Sequence, residues 1–270
     1  MQFSLWQVAV LAVVQGVTEF LPISSDGHLA IVKPLLFPTG AAPHDSMDLT
    51  IVLHLGTLGS ILVYYRERIA RLLGEDRRVL VLLGVGTVPA VAVVLVCKWI
   101  WKDRFEETLQ NPLLAGFMLP VTGLVLLWAM SRPPGGREYH DLTMLDSLLI
   151  GVCQAAAILP GLSRSGTTIS AALGLGVSRA QAATYSFLLA IPALAGAGLY
   201  EGISMLRDPN PLSAPVSSLA IGAAISFVVG LGAIWSVERL LTQGRLHWFA
   251  WYCIALGAIV VAWQLNSVRQ

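Results

Sequence analysis

Apolar residues run along this chain in long blocks, without the strict alternation of a half-buried strand. Six blocks carry no Asp, Glu, Lys or Arg: Leu49–Tyr65, Val79–Cys97, Leu109–Ser131, Ala180–Tyr200, Pro209–Val237 and Leu246–Val268. Each is close to or beyond the ~20 residues that cross a bilayer as a helix, so the pattern predicts six full spans. Two further apolar regions, Met1–Val32 and Ser147–Ser178, are each broken halfway by a proline and a cluster of small polar residues. Their arms of about a dozen residues fall short of a ~30 Å hydrocarbon core at 1.5 Å per residue. Either each region is a re-entrant hairpin with its tip near the midplane, or each is one long span broken in the middle. Both arrangements put the polar cluster deep, where irregular backbone is tolerated only against protein or water.

The two broken regions echo one another. Gln15, then Leu21-Pro22-Ile23-Ser24-Ser25-Asp26-Gly27-His28, is answered by Gln154, then Leu159-Pro160-Gly161-Leu162-Ser163-Arg164-Ser165-Gly166-Thr167, with one residue of slippage. Each is followed by three spans. The expectation is an all-α polytopic membrane protein forming a single integral membrane domain over residues 1–270, with internal repeats at roughly 1–131 and 143–270. With hairpins, each half crosses three times. That odd number inverts the second half relative to the first and brings the two tips together from opposite faces.

Composition agrees with a bilayer setting: 56% of the residues are hydrophobic and 12% are charged, about half the charge content of a soluble domain. The net charge of +1 says nothing about partners, because the charges are confined to the short loops; no nucleic-acid partner is expected. Loop cations set the orientation. Arg66, Arg68, Arg71, Arg77, Arg78, Arg132, Arg137, Arg179, Arg239 and Arg245 fall on one face; Lys33, Lys98, Lys102, Arg104, Arg207 and Arg269 fall on the other. By the positive-inside rule the richer face is cytoplasmic, both termini are extracytoplasmic, and the first hairpin opens outward. These loop basics read most economically as orientation signals and lipid-headgroup contacts. Cys97, Cys153 and Cys253 sit in apolar segments and read as reduced thiols. The opening stretch lacks a basic leader and a cleavage site, so it reads as a retained segment.

The chemistry is concentrated in the two breaks. Arg164 is the only charge between Ser147 and Ser178. A guanidinium at that depth costs at least ~2.5–3.5 kcal/mol and calls for an anion. Ser163, Ser165, Gly166 and Thr168 surround it at the start of a helix, and Ser24 lies in the other break; together these donors describe a phosphate cradle. The first break supplies Gln15 and Glu19, four apart on one helical face, then Ser25, Asp26 and His28. Such a set can hold a divalent ion through Gln15, Glu19 and Asp26, furnish a nucleophile and manage its proton. His54, inside the first full span, reads as a neutral hydrogen-bonding packer.

Gln15-Gly16-Val17-Thr18-Glu19 with Phe20-Leu21-Pro22-Ile23-Ser24-Ser25-Asp26-Gly27-His28, and Pro160-Gly161-Leu162-Ser163-Arg164-Ser165-Gly166-Thr167-Thr168, resemble the two motifs of bacterial undecaprenyl-diphosphate phosphatases. The resemblance extends over essentially the whole chain. It implies hydrolysis of undecaprenyl diphosphate to the monophosphate carrier used in peptidoglycan synthesis, and bacitracin resistance. It further implies a multi-pass protein of the bacterial inner membrane, a polyprenyl diphosphate lipid as partner and a divalent cation, Mg2+ or Ca2+; a homodimer is compatible with it. Glu19, Ser25, His28 and Arg164 fall on the family's functional positions. Gln15 stands where a glutamate is frequent and Asp26 where a small hydroxyl residue is common, both departures touching the metal set. Ser25, His28 and water remain alternative nucleophiles. A transporter or flippase of a polyprenyl phosphate or other anion is the rival reading, since inverted repeats with broken helices are common in such proteins.

Overall fold

The computed structural model describes residues 3–36, 47–101, 107–207 and 214–267, and every long element in it is a helix. In chain order these are α1 (Leu5–Thr18), α2 (Ser25–Leu36), α3 (Met47–Tyr64), α4 (Arg66–Leu72), α5 (Arg77–Trp101), α6 (Pro112–Met130), α7 (Met144–Ala156), α8 (Arg164–Gly174), α9 (Arg179–Arg207), α10 (Val216–Thr242) and α11 (His247–Ser267). Lys102, Arg104 and Arg269 from the loop-charge count lie outside the described residues.

Five helices, α5, α6, α9, α10 and α11, are long and apolar enough to cross a membrane. A sixth candidate consists of α3 and α4 together, bent by 77° at Tyr65. The bend is pinned: Tyr64 and Tyr65 donate their hydroxyls to the two carboxylate oxygens of Glu238 on α10, at 2.8 and 2.5 Å. Trp6, Trp99, Trp101, Trp128 and Trp248 are exposed, as are many leucines and valines of the long helices, which suits a lipid-facing surface. The three cysteines are free thiols.

Four helices of 11–14 residues form two pairs, α1 with α2 and α7 with α8. α1 packs along α10, α7 along α5, α3 against both α9 and α10, and α6 against α11. Small residues make these approaches close. A Cβ on Gly151 of α7 would stand 2.3 Å from the carbonyl oxygen of Gly86 on α5, a distance only a glycine permits. One turn earlier, Ser147 donates to the Leu82 carbonyl at 2.5 Å. Local signals start the helices where the chain needs them. Asn111 caps α6 ahead of Pro112, and Thr143 and Asp146 form a reciprocal capping box on α7.

The main core lies where the second pair meets α9 and the loop of residues 131–143. It gathers Phe20, Tyr139, Leu142, Ile169, Tyr185 and Phe187, with Phe20 and Phe187 edge to face at 5.5 Å. Two loop arginines act here as staples, which corrects their reading as headgroup contacts. Arg78 donates to the His140 and Leu142 carbonyls at 2.7 and 2.8 Å. Arg137 reaches the Leu175 carbonyl and the Asp146 carboxylate, each at 2.8 Å.

Candidate active site

Both breaks follow from residues that cannot continue a helix. Pro22 lacks an N–H and restricts Leu21, and the chain then turns through Ser24 at φ 71°, the one positive-φ residue other than glycine among those described. In the second break the turn falls on Gly161 at φ 90°, where an added Cβ would sit 2.3 Å from the Ala115 carbonyl oxygen of α6. The tips touch: a Cβ on Gly27 would meet the Gly161 Cα at 2.9 Å. Ser24 Oγ accepts the Gly161 amide at 3.1 Å and the Gly27 amide at 3.3 Å, which offsets the ~1–2 kcal/mol of its left-handed conformation. Thr122 of α6 buttresses the second tip, donating to the Gly161 carbonyl at 2.8 Å and accepting the Ser163 amide at 2.9 Å.

At this contact the charged groups of both halves converge. Arg164, first residue of α8, donates through Nη2 to Glu19 Oε1 across 145 residues of sequence. The other carboxylate oxygen, Oε2, accepts from Ser25 Oγ at 2.7 Å and from Gln15 Nε2 at 3.0 Å. Glu19 and Gln15 are buried, Ser25 is half-buried at the start of α2, and Asp26 opens outward. Arg164 Nη1 and Gln15 Oε1 are buried without a hydrogen-bond partner. A buried guanidinium nitrogen in that condition is what an anionic ligand would complete.

The remaining expected site residues are committed to the protein. Ser163 Oγ accepts the Gly166 amide as the cap of α8, Ser165 Oγ donates to the Leu21 carbonyl, and Thr168 Oγ1 pairs with Ser186 Oγ at 2.6 Å. In this arrangement these groups, with Ser24, pin the two tips and α9 together. Both ring nitrogens of His28 are likewise engaged: Nδ1 donates to the Ser24 carbonyl at 2.7 Å, leaving Nε2 to accept from the Tyr252 hydroxyl at 2.8 Å. Tyr252 also stacks on the imidazole.

Three contributors were missed in the sequence: Thr122, Tyr252 and His54. His54 lies on α3 with Nε2 3.6 Å from Glu19 Oε2 and 3.9 Å from Asp26 Oδ1, so it borders the site and is no bystander in a span. An ionisable residue inside an apolar block was the signal available for it. Nothing in the sequence singled out Thr122 or Tyr252.

The divalent ion implied by the resemblance needs open carboxylate lone pairs. Glu19 already receives donors on both oxygens, Asp26 points outward, and no group of three His, Cys, Asp or Glu with metal-binding spacing occurs among the described residues. In this arrangement the two carboxylates do not present a closed ligand set for a protein-held ion, and of the three expected ligands Gln15 alone keeps a buried, unpartnered acceptor, Oε1.

Fold and site together define a polytopic helical membrane protein with a carboxylate, a hydroxyl and a guanidinium assembled between two broken helix pairs. Residues 8–259 match the model of the family described as bacitracin resistance protein BacA, and the chain belongs to that family. It is 46% identical over 260 residues to the undecaprenyl-diphosphatase of Rhodopirellula baltica, covering 96% of this chain and 98% of that one. The undecaprenyl-diphosphatase of Syntrophotalea carbinolica is 39% identical over 263 residues, covering 94% and 96% of the two chains. That of Pelotomaculum thermopropionicum is 37% identical over 275, covering 99% and 98%.

Proposed function

We propose that this protein hydrolyses undecaprenyl diphosphate to undecaprenyl phosphate and inorganic phosphate, recycling the lipid carrier of peptidoglycan synthesis in the bacterial inner membrane. The observation that carries this is the meeting of Ser25, Glu19 and Arg164 at one point from opposite halves of the chain. Ser25 Oγ bonds to the terminal phosphorus while its proton passes to Glu19 Oε2, 2.7 Å away. The phosphoanhydride bond breaks and the lipid monophosphate leaves with the electron pair. Glu19 gives up the proton received from Ser25 before water attacks the phosphoserine; the water proton is then taken up at Glu19 and returned to Ser25 Oγ as the phosphorus–oxygen bond breaks, and phosphate departs. Arg164 Nη1 binds a phosphoryl oxygen, so positive charge is already in place where negative charge shifts. His28, tied to Ser24 and Tyr252, holds the turn that presents Ser25, and this engagement favours Ser25 as nucleophile. A divalent cation enters this reading only as counter-ion of the diphosphate.

The helix contacts support two re-entrant hairpins in an inverted repeat. α1 leans on the second long helix of the second half, and α7 on the second long helix of the first. The first long helices, α3 and α9, pair with each other, as do the third, α6 and α11, which is the reciprocity a twofold relation requires. With termini outside, the α1–α2 pair opens to the extracytoplasmic face, where the diphosphate head enters while the tail stays in lipid.

Phosphate release from undecaprenyl diphosphate in detergent tests this reading and separates an enzyme from a transporter, because no gradient exists there. Ser25→Ala is expected to lower kcat by at least about a thousand-fold with KM nearly constant. Near-normal turnover by Ser25→Ala rules out the covalent step, and absent phosphate release by the unmodified protein rules out the phosphatase reading.

A further inference from the structure

We propose that the cavity at the α3–α4 bend binds the phosphate of an anionic lipid headgroup. The cavity measures about 290 Å3, and Arg66, Arg68 and Arg71 of α4 line it together with Tyr64, Tyr65 and Glu238. It shares no residue with the site between the two helix tips, so the proposal stands independently of the phosphatase reading.

The charges around the cavity do not balance. Glu238 accepts the Tyr64 and Tyr65 hydroxyls on its two carboxylate oxygens, and among the described residues no cation pairs with it. The second carboxylate of the lining, Glu67, pairs with Arg66 at 3.6 Å, where side-chain exposures of 83% and 71% make the pair weak. Arg68 and Arg71 therefore have no carboxylate partner among the described residues. They stand three apart on one helical face, where like charges repel. Arg68 lies over the Tyr139 ring, 6.0 Å from its centroid, a contact that consumes none of its N–H donors. A ligand with several anionic oxygens relieves the repulsion and takes up those donors, which is the chemistry of a phosphate.

Depth selects the source of that phosphate. An apolar span that turns through 77° carries the helix beyond the bend toward the plane of the membrane surface, and Ile69 and Leu72 anchor α4 there by packing on the main core. On α10 the residue after Glu238 is Arg239, which lies over the exposed Trp235 ring at 5.4 Å. Arg132 over Trp128 and Arg245 over Trp248 repeat this pairing where α6 ends and α11 begins. A cation resting on an exposed indole suits the boundary between hydrocarbon and headgroups, so the cavity opens at the level where lipid phosphates lie. A headgroup arrives there tethered by its tails, whereas a free anion must be captured from bulk water.

The test follows thermal unfolding in detergent with added phosphatidic acid, phosphatidylcholine or inorganic phosphate. Phosphatidic acid is expected to raise the Tm of the unmodified protein saturably, and phosphatidylcholine to leave it unchanged. The double variant Arg68→Gln with Arg71→Gln is expected to bind phosphatidic acid about ten- to thirty-fold more weakly, and Arg71→Gln alone about three- to ten-fold. Arg71 is exposed, so its single variant carries the test should the double variant fail to fold. Arg77→Gln, which removes the exposed arginine that opens α5 outside the lining, is expected to keep the affinity within about two-fold. Absence of a Tm rise with phosphatidic acid, an equal rise in the double variant, or equal weakening by Arg77→Gln overturns the site. Inorganic phosphate that gives the same rise at equal total phosphate, lost in the same variants, overturns the lipid as its occupant in favour of the free anion.

Discussion

The pair of Glu19 and Arg164 allows a stability measurement independent of any assay for turnover. With side-chain exposures of 5% and 17%, both charges lie largely out of water, each compensated by the other. Glu19→Gln keeps the shape of the side chain but leaves the guanidinium uncompensated. Breaking a buried pair costs about 3–5 kcal/mol, and the residual exposure of Arg164 places this one near the lower end, about 3 kcal/mol. For a chain of this size that corresponds to a Tm drop of about 6–12 °C. Arg164→Gln is expected to cost a similar amount, by stranding the carboxylate. The double variant, Glu19→Gln with Arg164→Gln, removes both charges and is expected to recover about half of the summed loss, a coupling of about 3 kcal/mol. Unfolding in detergent can be followed with a thiol-reactive fluorophore, because Cys253 is buried and becomes reactive only as the bundle opens. Single variants that each shift Tm by less than about 2 °C, or a double variant whose loss is the plain sum, would refute the buried pairing.

Three further outcomes follow from contacts at the tips and the loop. Gly161→Ala combines a left-handed φ with a Cβ 2.3 Å from a backbone oxygen; a loss of about 3 kcal/mol or more is expected, seen as a Tm drop or failure to accumulate in the membrane. Tyr252→Phe keeps the stack on His28 and removes its hydroxyl partner, so about 1 kcal/mol of stability and a few-fold of kcat should be lost, measured by Tm and phosphate release. Arg78→Ala frees the carbonyls of His140 and Leu142, and is expected to cost about 1–2 kcal/mol and to quicken proteolysis within residues 131–143 while leaving kcat within two-fold.

Much of the architecture was legible because the bilayer imposes a coarse code. Length and apolarity alone separated the spanning blocks from the two broken regions, and prolines 22 and 160 marked the breaks correctly. The block beginning at Leu49 was the exception, since its helix turns by 77° at Tyr65. That bend depends on Glu238, 173 residues away, and no local pattern encodes it. At the site, the convergence of Arg164 on Glu19 and Ser25 was legible from charge cost and internal repetition. The use made of the hydroxyls was not. Ser24, Ser163, Ser165 and Thr168 read as anion donors from sequence, yet their partners are amides, carbonyls and hydroxyls that only the packing of the tips, α6 and α9 brings near.

By itself the sequence determined that this chain is a helical membrane protein with two polar breaks, because burying charge and unpaired backbone in lipid is costly enough to dominate every local preference. The tertiary structure alone decided which polar groups serve as pins and which stay open. Hydrogen-bond partners are short-range and directional, and residues far apart in the chain, such as Ser24 with Gly161 and Glu19 with His54, meet only when the two helix pairs and α3 are docked.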